Sequence, residues 1–268
     1  MRALFPILTI LFLLSCAQDP TTGPGTNRPD TTAVTVTIDL QAYVGDRPLR
    51  FGERHRAPNG VDYEVTLLRY YLSSLYLVDT SGAEVPLQLV DTSGAPLRYN
   101  LMLYDLDVPS SYVARFTLRP GVYRELRCAI GVPLFGPNGD SLNHTDASVN
   151  EHPLNVDADM YWGWKPGYIH FKLEGKSRVD TADALFYYHV GEDRRLMYVQ
   201  LASPMAISST SGRTMTMRLD VNKVFVTPSG EFSPNPGGSL YDRVANSGAI
   251  ADTVANNVSR GGVFTLIP

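Results

Sequence analysis

The chain has 268 residues, of which 44% are hydrophobic and 19% charged, and its formal net charge is −4. This is the composition of a globular protein with a full apolar core. A weakly acidic chain without a basic block makes a poor nucleic-acid partner, so that class is set aside.

Residues 1–16 read as a lipoprotein signal peptide. Arg2 supplies a positive charge, and Leu4 to Leu14 is apolar except for Pro6 and Thr9. This charge-then-apolar order is that of a secretory leader, and the run is shorter than the ~20 residues a membrane-spanning helix needs. Leu13-Leu14-Ser15-Cys16 closes it as a lipobox. Cleavage before Cys16 and attachment of diacylglycerol to its thiol are expected, which would make the N-terminal lipid a membrane anchor. Residues 17–33 hold Pro, Thr, Gly, Asp and Asn with little to bury, as a flexible tether does. Ala17 rather than Asp follows the cysteine, which points to the outer membrane. The expected location is the cell envelope, at the outer membrane or facing the periplasm. Loss of Arg2 with the leader takes the net charge from −4 to −5. Cys128 is then alone with Cys16 lipidated, so no internal disulfide is expected and packing must hold the fold.

Residues 34–268 read as one domain. Alternation with a two-residue period marks strands at Val34–Leu40, Tyr63–Leu68, Leu72–Val78, Val113–Leu118, Tyr168–Leu173, Leu196–Leu201, Met215–Leu219 and Val221–Val226. Gly, Pro, Asn and Asp punctuate them, and many short strands with frequent turns predict an all-β fold, an antiparallel β-sandwich. Two minor helices are expected, near Tyr123–Ala129 and over Leu240–Asn257. Ile169, Phe171 and Leu173 are predicted to face the core. Cys128, in the apolar stretch Leu126 to Val132, is expected to be a small buried hydrophobe.

Leu77-Val78-Asp79-Thr80-Ser81-Gly82-Ala83 recurs as Leu89-Val90-Asp91-Thr92-Ser93-Gly94-Ala95. Paired aspartates suggest an aspartic-protease signature, but that motif puts Gly directly after the Asp-Thr or Asp-Ser pair, and here a serine intervenes. Turn closure by Asp and Ser, with Gly at positive φ, accounts for both copies. No nucleophile elbow, P-loop or zinc-protease motif is present, and the acids are scattered, so hydrolysis is disfavoured.

The scarce chemical residues cluster. Four of the five histidines and both tryptophans lie between His144 and His189. The stretches that carry them are His152-Pro153-Leu154-Asn155, Met160-Tyr161-Trp162-Gly163-Trp164, Gly167-Tyr168, Lys172-Leu173-Glu174-Gly175 and Tyr188-His189-Val190-Gly191. With Leu68-Arg69-Tyr70-Tyr71-Leu72-Ser73, Gly131-Val132-Pro133 and Leu219-Asp220-Val221-Asn222-Lys223-Val224-Phe225, they give most of the mature chain a resemblance to a known family. That family is the MbnP-like periplasmic copper-binding proteins associated with methanobactin uptake, which include copper-repressible surface proteins. The Trp-Gly-Trp block is the specific part of the match.

The resemblance implies copper bound on a β-sandwich, without catalytic turnover, by two histidines. It also implies that a tryptophan oxidised to kynurenine by a partner di-haem peroxidase-like enzyme supplies a further nitrogen. Imidazole suits copper on physical grounds. His152 and His189 fall in matching segments and are the ligands the resemblance favours. Each also has a structural reading, as a loop-fixing residue beside Pro153 and as a strand-end residue bonded to backbone. Trp162 or Trp164 is the kynurenine precursor if one forms, and both could equally fill a core or rim. His170 alternates with Ile169 and Phe171, which sets it with Lys172 and Glu174 on the face away from the core, either solvated or as an extra ligand. His144 is expected in an exposed loop. His55 lies between Arg54 and Arg56, where two cations disfavour a metal. The competing function is a module for a glycan or partner protein that uses Trp162, Trp164 and nearby tyrosines as a stacking surface.

Overall fold

The alternation is realised as fifteen strands among the described residues of this computed structural model, which are 32–136, 142, 153–162, 167–179, 182–208, 213–227, 230–231, 246, 248–260 and 262–268. The expected signal peptide, most of the tether, Cys16, His144, His152 and Trp164 lie outside them. In chain order come β1 (Val34–Val44), β2 (Arg47–Pro48), β3 (Arg54–Arg56), β4 (Asp62–Asp79), β5 (Glu84–Pro86), β6 (Leu101–Asp105) and β7 (Val113–Leu118). Then follow β8 (Gly121–Ile130), β9 (Ile169–Val179), β10 (Ala182–Gly191), β11 (Met197–Ile207) and β12 (Arg213–Asp220). The helix α1 (Val221–Val224), β13 (Val226–Thr227), β14 (Gly230–Glu231), α2 (Gly248–Arg260) and β15 (Phe264–Ile267) complete the set.

One sheet has the order β15-β12-β1-β2, with β7 also paired to β1. The other runs β10-β9-β4-β8-β11, with β3, β5 and β6 also on β4. All pairings are antiparallel except β1 with β12, which are parallel and, as such a pair requires, joined by a long connection. The main core lies between the sheets. Val36, Ile38 and Leu40 of β1 meet Leu68, Tyr70, Leu126, Phe171 and Leu173 there. Each such fully buried side chain contributes about 1.5–3 kcal/mol of burial free energy. Cys128 belongs to this core, and burial pushes its thiol up to about 12, which leaves it unreactive.

Three local expectations are corrected. Tyr123–Ala129 is strand within β8, not helix, because its helix-forming residues are captured between β4 and β11. Val221–Val226 opens as helix α1, not strand, because the Asp220 side chain accepts the Asn222 N–H at 3.0 Å and caps a turn. Ile169 leaves the main core. A register shift pairs Val190 with Phe171 but Gly191 with Ile169, so His170 is the extra residue of a bulge and the phase of the strand changes there. Where a helix was expected over Leu240–Asn257, α2 begins at Gly248 and buries Ala251, Val254, Ala255 and Val258 on one face. Tyr63–Leu68 and Leu72–Val78 are parts of the single strand β4.

The repeated aspartates close turns, with the same geometry in both copies. Asp79 Oδ1 accepts from Ser81 N (2.8 Å), Ser81 Oγ (2.6 Å) and Ala83 N (2.9 Å), and Asp91 does the same with Ser93 and Ala95. These bonds hold both carboxyls below their ordinary pKa.

His55 points inward from β3 between two exposed arginines, its ring 5.7 Å from that of Tyr63. Burial pulls its imidazole below the ordinary 6.5, against the opposing pull of Glu53. The folded state thus prefers the neutral ring, and on acidification the unfolded chain takes up the proton first. The stability this contributes is complete above pH ~6.5 and is lost as pH falls through the lower folded value. Urea unfolding at about pH 7.5 and about pH 5.5 should show a loss for the parent that His55→Gln reduces. Equal losses in both proteins would remove His55 as the cause.

Candidate metal centre

One row of residues crosses four strands on the face of the second sheet that points away from the main core. His189 on β10 pairs with Lys172 on β9, Lys172 with Arg69 on β4, and Arg69 with Asp105 on β6. A row of cations and imidazole on one face needs carboxylates. Glu174, two residues along β9, meets His189, and Asp105 takes Arg69 Nε at 2.7 Å. Asp159, from the segment above, takes Lys172 Nζ at 2.5 Å and lies 3.5 Å from Arg69. The Lys172 side chain is only 4% exposed, which its paired, hydrogen-bonded ammonium makes tolerable.

The segment Pro153–Trp162 roofs this face and is held by side chains rising from the sheet. Tyr71 donates its hydroxyl to the Pro153 carbonyl at 2.8 Å, and Tyr168 donates to that of Leu154 at 2.9 Å. Arg69 reaches the Ala158 carbonyl at 3.4 Å and Lys172 that of Asp159 at 3.0 Å. Asp159 sits at φ 52, a left-handed conformation that Asp tolerates better than most residues. Beyond it, Ile169 N–H donates to Met160 O and Trp162 N–H to Gly167 O, which pairs Tyr161 antiparallel with Tyr168. Leu154, Met160, Trp162, Tyr168 and Ile169 join Tyr71, Leu101, Leu103 and Val132 in a second apolar cluster. Beneath this segment the sheet is therefore covered on both faces.

This covering changes the reading of His170 and Trp162. His170, expected on a solvated face, is fully buried. Its Nδ1 accepts the Val132 N–H at 3.2 Å and its Nε2 meets the Glu192 carbonyl at 3.2 Å, so backbone groups occupy both ring nitrogens. It ties the exit of β8 and the turn after β10 to the start of β9. Trp162 is 4% exposed, its ring packed on the backbone at Gly191, where a Cβ would lie 2.8 Å from Cη2. Tyr71, Tyr168 and Tyr188 are buried too, so of the competing stacking surface these rings and Trp162 are closed off, while Trp164 lies outside the described residues.

His189 is the histidine that combines orientation with access. Its side chain is 18% exposed, and Nε2 lies 2.7 Å from Glu174 Oε1. That contact, with Lys172 nearby, holds the Glu174 carboxyl below its ordinary pKa. A carboxylate can only accept, so Nε2 carries a proton, and it is the tautomer with Nε2–H that presents a lone pair on Nδ1. Among the described residues nothing bonds to Nδ1. A histidine whose second nitrogen donates to a carboxylate is the arrangement that orients imidazole ligands and raises their basicity. His152 directly precedes Pro153, whose carbonyl Tyr71 holds, and itself lies outside the described residues. Among the described residues, no group of three or more His, Cys, Asp or Glu is arranged to hold a metal.

The fold and this row define a class: an all-β sandwich with a roofed polar row beneath a clamped loop. The sequence model of the MbnP family matches residues 33–239, and the chain belongs to that family. Its structure is similar to the solved structure of MbnP from Methylosinus trichosporium, with a TM-score of 0.61 over 88% of this chain and 99% of that one. Sequence identity is 15%, so this likeness speaks for the fold. No curated protein matches the chain.

Proposed function

We propose that the protein is a copper-binding protein of the cell envelope, anchored by lipid on Cys16, that captures or carries copper without turnover. The observation that carries this reading is the His189–Glu174 pair, an exposed-edge imidazole oriented by a carboxylate with Nδ1 open. Membership of the MbnP family supports it. His189 Nδ1 is one donor and His152 the second; nitrogen donors of this kind suit Cu(I) or an adaptable copper site. His170 holds backbone and stays outside the ligand set.

A tryptophan converted to kynurenine by a di-haem peroxidase-like partner would add an aniline nitrogen, since intact indole offers only a donor N–H. Burial of Trp162 favours Trp164 as the residue such a partner reaches. Peptide mass spectrometry on protein from its native host tests this through the exchange of a carbon for an oxygen.

Competition with a chromophoric Cu(I) chelator tests the ligands. His189→Ala and His152→Ala should each weaken copper binding at least tenfold, while His55→Ala leaves it unchanged. Glu174→Gln keeps the hydrogen bond and removes the charge, and should weaken binding about tenfold, as loss of such an outer partner does. Parent affinity in both histidine variants would overturn the assignment.

A further inference from the structure

A second feature lies apart from the polar row and shares with its roof only Pro153. A cavity of about 350 Å³ opens beside β6 and β7 under the segment that follows β5. Its apolar lining includes Val90, Leu97, Met102, Leu103 and Val113. The wall is preformed. Val90 N–H donates to Arg115 O at 2.8 Å, Leu97 N–H to Leu89 O at 2.8 Å, and the Asn100 side chain bridges Leu87 O and Leu89 N. Size and lining match small-molecule sites, which are mostly apolar, about 300–1,000 Å³, and carry a few placed polar groups.

The placed polar group is Arg115. Ala114 and Phe116 turn into the main core, so Arg115 turns the other way, half-buried against the cavity. Among the described residues its guanidinium makes no ion pair. Asp39, diagonal to it across β1, does not reach it, and the Asp91 carboxylate at the rim is engaged by its own turn. Arg98, stacked on Tyr99, adds a second positive charge to the lining. Two arginines against the one carboxylate of Asp91 leave the lining with a net positive charge, which is complementary to an anion carried on an aliphatic body.

We propose that this cavity binds a small aliphatic monocarboxylate, its carboxylate on Arg115 and its chain along Val90, Leu97, Met102 and Val113. The lining is mostly aliphatic, its one aromatic ring, Tyr99, is covered by Arg98, and the flexible Met102 accommodates chains of differing shape.

Isothermal titration calorimetry tests this on the full chain in phospholipid nanodiscs, with empty nanodiscs as the blank. Hexanoate should bind, and hexan-1-ol should bind about tenfold more weakly, the size of one charge-assisted hydrogen bond. Arg115→Gln should bring hexanoate down to the affinity of the alcohol and leave the alcohol unchanged. Arg115→Lys, which keeps the charge, should retain most of the difference. Val113→Trp, which fills the cavity, should abolish both. Equal affinities for hexanoate and hexan-1-ol in the parent, no binding of hexanoate, or an Arg115→Gln variant with unchanged hexanoate affinity would each overturn the proposal. The arginine variants decide the matter even if Val113→Trp fails to fold. Copper binding plays no part in the readout, so the outcome is independent of the metal site.

Discussion

Gly191→Ala should destabilise the protein by about 3 kcal/mol, the upper part of the range for overpacking a closed site. In an ordinary strand the same change gains about 0.5–1 kcal/mol, because alanine loses less backbone freedom on folding. Here the new methyl would lie 2.5 Å from the Tyr168 carbonyl oxygen and 2.8 Å from Cη2 of Trp162. The carbonyl belongs to the backbone that leads into β9 and cannot retreat without disturbing the pairing of Ile169 with Gly191. The indole sits in the second apolar cluster with no open side to swing into. Gly121→Ala is the control, since its methyl would come no nearer than an ordinary contact of 3.4 Å, to the Tyr123 hydroxyl, and its stability should change by less than about 0.5 kcal/mol. Urea midpoints at constant m-value measure both. A Gly191→Ala midpoint equal to the parent's would show that Trp162 is not packed on this strand.

Asp159→Ala should cost about 2 kcal/mol, whereas Lys172→Met should cost less than about 1 kcal/mol, although the two residues form one ion pair. The asymmetry follows from where water is. The Asp159 side chain is 67% exposed and the Lys172 side chain 4%. Removing the lysine releases a carboxylate that water already solvates. Removing the aspartate leaves a buried ammonium with the Asp159 carbonyl at 3.0 Å and Glu174 at 3.7 Å as its remaining partners. Stranding a buried charge is the expensive direction, while replacing it with an apolar side chain of similar length is close to neutral. The exposure of Asp159 screens part of the effect, which is why the figure stays below that of a fully buried pair. The double variant should be more stable than Asp159→Ala alone, and a thermodynamic cycle over the four proteins reports the sign. A larger loss for Lys172→Met than for Asp159→Ala would contradict this account.

Much of the sandwich was legible because one physical pattern wrote it. Val34–Leu40 alternates strictly and becomes β1, and Val113–Leu118 becomes β7 at the predicted bounds. The two Asp-Thr-Ser-Gly turns were readable from side-chain chemistry alone. Where the reading failed, tertiary partners overrode local preference. Tyr123–Ala129 has helix-forming residues but sits between two strands that need a neighbour, and Val221–Val226 has strand-forming residues but begins beside a capping aspartate.

The site was half legible. His189 stood out by its motif. Glu174, Lys172, Arg69, Asp105 and Asp159 did not stand out as a set, since they come from three strands and a loop and meet only through register. The alternation of Lys172 and Glu174 on one face was visible in sequence and marked that face as polar. What could not be seen was the roof, and without it His170 read as solvated. A one-residue bulge also shifted Ile169 to the other face, and bulges leave no periodic trace.

The roof is attached in a particular way. Tyr71, Tyr168, Arg69 and Lys172 all grip carbonyl oxygens, those of Pro153, Leu154, Ala158 and Asp159. A carbonyl is common to every residue type, so these four anchors do not depend on which side chains the segment bears, and its own side chains add the buried Leu154, Met160 and Trp162 and the paired Asp159. The sheet therefore works as a mount for exchangeable parts. If the proposed copper site holds, the residue beside Pro153 is a position where a donor can be exchanged while the clamped carbonyls keep their place, so single substitutions there would retune the ligand chemistry without refolding the frame.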